Sequence, residues 1–296
     1  MNRLLWTQKQ DIGPSPRSSA SMTFDSARSK IVLFGGNDFD NLEGLNDTWE
    51  WDGSYWTQKS NIGPAKRTES ALAFDTARKK VILFGGSRFN DTWEWDGETW
   101  TEVANGVVPP RQGHAMAYDE KRKKMVLFGG QLITDDNSMF LQDTWEWDGF
   151  EWSEMADTGP DLRKSAMAYD PIRSTIILFS GVTTALEIVD SDTWEWDGVN
   201  WKKISDIGPG KRGFHKMVTT NKGIILFGGI PEIGPVRFRD TWEWDGKFWT
   251  QKQDGGPAPR ASHSMAYDIT RNCVVLFGGE FNGPPLGDTW ELTERL

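Results

Sequence analysis

One ten-residue motif, D-T-W-E-W-D-G-x-x-W, begins at Asp47, Asp91, Asp143, Asp192 and Asp240. A sixth copy begins at Asp288 and stops after Leu292. All but one of the 17 tryptophans fall on three positions of this motif. The first position holds Trp49, Trp93, Trp145, Trp194, Trp242 and Trp290; the second holds Trp51, Trp95, Trp147, Trp196 and Trp244. Trp56, Trp100, Trp152, Trp201 and Trp249 occupy the third, which leaves Trp6. Thr-Gln-Lys follows Trp6, as it follows Trp56 and Trp249, so the N-terminus carries the piece the sixth copy lacks. The chain reads as a closed ring of six units, cut inside one of them. Such a ring folds as a single domain, although 296 residues alone would allow two.

The Gly-Gly pairs end at Gly36, Gly86, Gly130, Gly229 and Gly279, with Ser180-Gly181 in the fourth unit. The successive spacings are 50, 44, 51, 48 and 50 residues, the period of four-stranded propeller blades. Each unit contains a short alternating segment such as His114–Asp119, then an apolar run into glycine such as Val81–Gly86, which suits a strand buried on both faces. The D-T-W-E-W segment and a short strand beginning at the third Trp follow. Asp-Gly pairs at Asp52, Asp96, Asp148, Asp197 and Asp245 are hairpin turns. No window sustains a 3.6-residue period, so no helix is expected.

Composition narrows the function classes. The net charge of -10 argues against a general nucleic-acid binder. The motif carries three acids in five copies and two in the sixth, so 17 of the 43 acids belong to the repeat. No 18-residue apolar run suggests a membrane span, and Met1–Thr7 lacks a signal-peptide core, leaving a cytoplasmic chain or a piece of a larger exported one as the alternatives. The lone Cys273 precludes an internal disulfide and reads as a strand residue rather than a nucleophile.

With Gly-Gly after the second strand, an aromatic in the third, Trp in the fourth and an Arg ahead of the first, the chain resembles the kelch-repeat β-propellers. The resemblance covers essentially the whole chain. It implies an all-β, six-bladed propeller of four-stranded antiparallel blades, with the N-terminal strand completing blade six. The blades span about residues 20–59, 70–103, 114–155, 165–204, 214–252, and 263–294 with 4–9. If strands run from the channel outward, the irregular links all lie on one face: Asn37–Asn46, Ser87–Asn90, Gln131–Gln142, Val182–Ser191, Ile230–Arg239 and Glu280–Gly287. Variable loops on a constant scaffold mark that face as the working surface.

Candidate residues follow from this geometry. Arg17, Arg67, Arg111, Arg163, Arg212 and Arg260 stand before the innermost strands, where they could hold an anionic ligand at the channel mouth. A residue present in all six units is better explained by what all six blades need, with a subset free to touch ligand as well. His114, His215 and His263, each three residues after the Arg, occupy one repeated position and lack metal-ligand spacing. No metal or cofactor is expected. Acids that break the repeat, namely Asp38, Asp40, Glu43, Asp135, Asp136, Glu187, Asp190 and Glu232, could act as general acids or cation ligands, or simply be solvated loop residues. Phe39, Phe140, Phe238 and Phe281, with Met139 and Leu141, could anchor a partner or equally fold back over the blade, and Arg237 and Arg239 add positive charge beside them.

The kelch resemblance most often implies a non-catalytic scaffold presenting this face to a protein or peptide, as a monomer. A carbohydrate-binding module, or an enzyme like the six-bladed sialic acid mutarotases with its site at the channel mouth, is the alternative. A structural module of a larger secreted protein is a third. The copper-radical chemistry of galactose oxidases, which also resemble kelch propellers, needs a Cys-linked Tyr that the position of Cys273 does not provide.

Overall fold

The computed structural model describes residues 3–9, 12–38, 40–41, 43–133, 138–161, 164–182, 190–232 and 237–295. Within them the chain forms six four-stranded antiparallel sheets and no helix. Blade one is Ser21–Asp25, Lys30–Phe34, Thr48–Trp51 and Trp56–Ser60. Blade two is Ala71–Asp75, Lys80–Phe84, Asp91–Trp95 and Trp100–Asn105; blade three is Ala115–Asp119, Lys124–Phe128, Thr144–Trp147 and Trp152–Ala156. Blade four is Lys164–Asp170, Thr175–Val182, Thr193–Trp196 and Trp201–Ser205. Blade five is Lys216–Thr220, Gly223–Phe227, Thr241–Trp244 and Trp249–Gln253. Blade six takes Ser264–Asp268, Cys273–Phe277 and Thr289–Arg295 from the C-terminal part of the chain and its outer strand, Arg3–Gln8, from the N-terminal part. Trp6 there lies opposite Leu292. First strands of neighbouring blades touch in a closed cycle, so the sheets radiate from a central channel.

The motif explains why the blades repeat. Its second Trp is at most 1% exposed in all five copies, and Leu292 takes that place in blade six at 3%. These side chains lie between blades, and each of the six apolar clusters joins two adjacent sheets. The third Trp reaches across the same junction. Its indole N–H donates to the motif Thr of the preceding blade: Trp56 to Thr289, Trp100 to Thr48, Trp152 to Thr92, Trp201 to Thr144 and Trp249 to Thr193, at 2.8–3.0 Å. Trp6 donates to Thr241 at 2.9 Å, so the leftover tryptophan performs the same task for blade six. An indole N–H buried without an acceptor would be costly, and the repeated Thr removes that cost at every junction.

The turns are fixed by the acids beside them. Asp52 Oδ1 accepts the N–H groups of Ser54 and Tyr55 at 2.8 Å, while Gly53 adopts φ 99°, and the pattern recurs in the other Asp-Gly hairpins. At the opposite end of the second strand both residues of each Gly-Gly are left-handed, as at Gly35 and Gly36 (φ 66° and 86°). A Cβ on Gly36 would lie 2.7 Å from the Ser18 carbonyl, which makes glycine the residue that fits. Blade four uses Ser180 there, at φ 49°, and its hydroxyl donates to the carbonyls of Asp190 (2.6 Å) and Arg212 (3.0 Å).

Candidate functional site

The arginines ahead of the first strands lie beneath the irregular face, not on it. Arg17, Arg67, Arg111, Arg212 and Arg260 are at most 2% exposed. Each forms a two-pronged ion pair with the first Asp of its own blade's motif: Asp47, Asp91, Asp143, Asp240 and Asp288, at 2.5–2.9 Å. The remaining N–H groups donate to backbone, as Arg17 does to the carbonyls of Ser15 and Gly35. The same Asp accepts the indole N–H of the first motif Trp, as Asp47 does from Trp49 at 2.7 Å. Burial disfavours ionisation of Asp47, Asp91, Asp240 and Asp288, yet the arginine's hydrogen bonds and charge outweigh it and hold these carboxyls below the usual range. Guanidinia filled in this way are scaffold, and an anion over them would have to displace a carboxylate. Arg163 lies outside the described residues.

Blade four departs from the pattern. In the sequence Arg163 stands one residue closer to its first strand than the other arginines do. Among the described residues Asp192 pairs with Lys203 at 2.8 Å, and the Trp194 indole N–H is buried without a partner.

The three histidines are buried, and each ring stands edge-on to a phenylalanine of the preceding blade: His114 on Phe84, His215 on Phe179 and His263 on Phe227, with centroids 5.2–5.7 Å apart. Burial, then the adjacent arginine, drives their pKa values down, that of His114 to about 3, so all three are neutral near pH 7. No group of three or more His, Cys, Asp or Glu that could hold a metal ion is found among the described residues. Cys273 is buried and its thiol is pushed up to about 12, chiefly by that burial.

The loop candidates divide. Phe140 is 5% exposed in a small hairpin, Gln131–Ile133 with Ser138–Phe140, and is a packing residue rather than an exposed anchor. Phe238 lies 4.1 Å from the Arg212 guanidinium and is half-buried, so it folds back over the blade; Phe89, not anticipated, does the same to Arg67. Arg237 is half-buried, whereas Arg239, Met139 and Phe281 are exposed. Phe39, Asp135, Asp136 and Glu187 lie outside the described residues.

At the channel mouth on this face the backbone forms a belt. Ser262, Ser19, Glu69 and Gly113 each donate a backbone N–H to the residue at the same place in the preceding blade, beginning with the Phe214 carbonyl, at 2.8–3.0 Å. All five residues are left-handed, with φ between 53° and 64°. The Lys164 ammonium of blade four reaches over Gly113 to Glu69 of blade two, at 2.6 Å. A Cβ on Gly113 would lie 2.5 Å from the Lys164 chain, so this glycine leaves the bridge its room. Below it lie cavities of about 70 and 100 Å³, both lined by Ser70, His114, Ser165 and Lys216. Sequence reasoning missed Glu69, Lys164 and Lys216, because none repeats and the pair joins residues 95 apart.

The opposite end of the channel is wider. A funnel of about 290 Å³ opens among the hairpins joining first and second strands, lined by side chains such as Phe24, Phe74, Tyr118, Tyr169 and Tyr267. This differs from the expectation that everything of interest lies on the irregular face. A groove of about 480 Å³ separates blades five and six, where Lys222 pairs with Glu294 and Lys252 with Glu243.

The sequence matches the model of a family described as the KLHDC2/KLHL20/DRC7 Kelch-repeats domain over residues 1–161. The chain belongs to this kelch-repeat family. Many solved structures share its fold; one, titled "Structure of YjhT", aligns with a TM-score of 0.73 over 96% of this chain and 98% of that one, at 15% identity. That likeness concerns the fold alone. No curated protein matches the sequence.

Proposed function

We propose that this kelch propeller is a non-catalytic binding platform whose irregular loop face receives a protein or peptide. One observation carries the reading. The repeated charged groups described beneath that face are satisfied inside the scaffold, while exposed Met139, Arg239 and Phe281 stand on loops that differ from blade to blade. Aromatic, Met and Arg side chains on a rigid support are the usual anchors of protein interfaces. The test is a displayed peptide library selected against the whole chain, followed by hydrogen-exchange mapping of the selected ligands. Protection in the loops around residues 87–90, 138–142, 237–239 and 280–287 is the expected result. Ligands that protect only the opposite hairpins, and that bind Met139→Ser and Phe281→Ser variants unchanged, would overturn it. The carbohydrate-directed alternative, including a sialic acid mutarotase-like activity, finds support in the aromatic-rimmed funnel of about 290 Å³, a volume approaching that of small-molecule sites. Acidic sugars belong in the same screen, and turnover or funnel-directed protection by one of them would favour that reading.

A further inference from the structure

Lys216 occupies the first position of the blade-five inner strand, where the other blades carry Ser21, Ala71, Ala115, Ala166 and Ser264. The fold therefore needs only a small side chain there, and a lysine is not explained by the repeat. Its ammonium makes no hydrogen bond or ion pair with any described residue, yet it lines both cavities below the channel mouth. The Ser165 hydroxyl lines both as well and is buried without a partner. The charges do not cancel. Two ammonium groups share one carboxylate: Glu69 pairs with Lys164 at 2.6 Å and also attracts Lys216 through space, which leaves one positive charge in excess at this place. Lys216 is half-buried, and its burial pushes its pKa down against the pull of Glu69; an ammonium short of counter-charge in a narrow channel is costly unless it loses its proton or gains an anion.

We propose that the channel holds a small monoanion, of the size of a halide, nitrate or acetate, between the Lys216 ammonium and the Ser165 hydroxyl. Volumes of about 70 and 100 Å³ admit such an ion with one or two waters and exclude a sugar. The Lys164–Glu69 bridge spans the entrance, which favours a free ion over the end of another chain. This site is independent of the loop platform, and either can fail without the other.

The experiment measures the unfolding midpoint of the full chain at constant ionic strength and pH while sodium gluconate, whose anion is too large to enter, is replaced by sodium chloride, nitrate or acetate. Line broadening in the ³⁵Cl spectrum gives a direct second readout. The proposal expects a saturating rise of the midpoint with the small anions. It also expects loss of that response and of the chloride broadening in Lys216→Met, which should fold because the neighbouring blades carry uncharged residues there. Ser165→Ala should weaken the response without abolishing it. A wild-type midpoint that does not depend on the anion, or an equal dependence in Lys216→Met, overturns the proposal.

Discussion

A single side chain in this protein is best judged by whether its blade-mates carry the same one. Arg67 does, and it is 0% exposed and locked to Asp91. Removing it in Arg67→Met leaves Asp91 buried without its counter-charge, and should cost about 3–5 kcal/mol in denaturant unfolding. Arg67→Met with Asp91→Leu should recover part of that loss, since replacing a buried pair by apolar groups is far less damaging than breaking it. The histidines make a pH prediction of definite sign. The unfolded chain takes up protons near pH 6.5, but the buried rings do not until far lower, so their contribution is intact above that value and declines as pH falls below it. The arginine-bound aspartates add a second loss below about pH 4, because carboxyls held below their ordinary pKa lose their stabilisation as they are protonated. Histidine ring resonances followed by NMR should show no titration between pH 8 and 5. Midpoints near 6.5 would show the rings to be solvated.

Among the elements, blade four carries the irregularities: Ser180 for glycine, an unpartnered Trp194 indole and Asp192 held by the more exposed Lys203. Lys203→Met should therefore change the unfolding midpoint far less than Arg67→Met does. Native-state hydrogen exchange should show the amides of Thr193–Trp196 opening before those of Asp91–Trp95. The strands themselves were legible in the sequence, because apolar runs, Asp-Gly turns and the Trp motif each set local structure by local chemistry. A second set of arginines was not recognised. Arg28, Arg78, Arg122 and Arg271 lie in the hairpins joining first and second strands, and each pairs with the Asp ending its first strand and with the motif Glu of its blade. Those contacts depend on how three strands align, which spacing within one strand does not show. For Phe140 and Phe238 the sequence left open whether the tips are exposed or fold back, for the same reason: a loop residue's partner lies in a separate segment, and these two fold back where a surface offers burial.

The whole molecule is a ring whose strength resides in its junctions. Each is built the same way, from a buried second-position residue, an outer Trp and the Thr that takes its indole N–H. The sequence announced this closure through the one tryptophan left outside the motif. The channel chemistry of Glu69, Lys164 and Lys216 was not legible, since side chains that do not repeat become neighbours only once the ring is formed. The repeated groups serve the ring. Thermal unfolding of a chain lacking residues 1–9 tests the ring most directly. That deletion removes the outer strand of blade six and the buried Trp6, which alone is worth about 3–5 kcal/mol when truncated to alanine. The midpoint should fall steeply or the cooperative transition should vanish, with Trp6→Ala intermediate. A truncated chain that melts like the full one would contradict the closed ring.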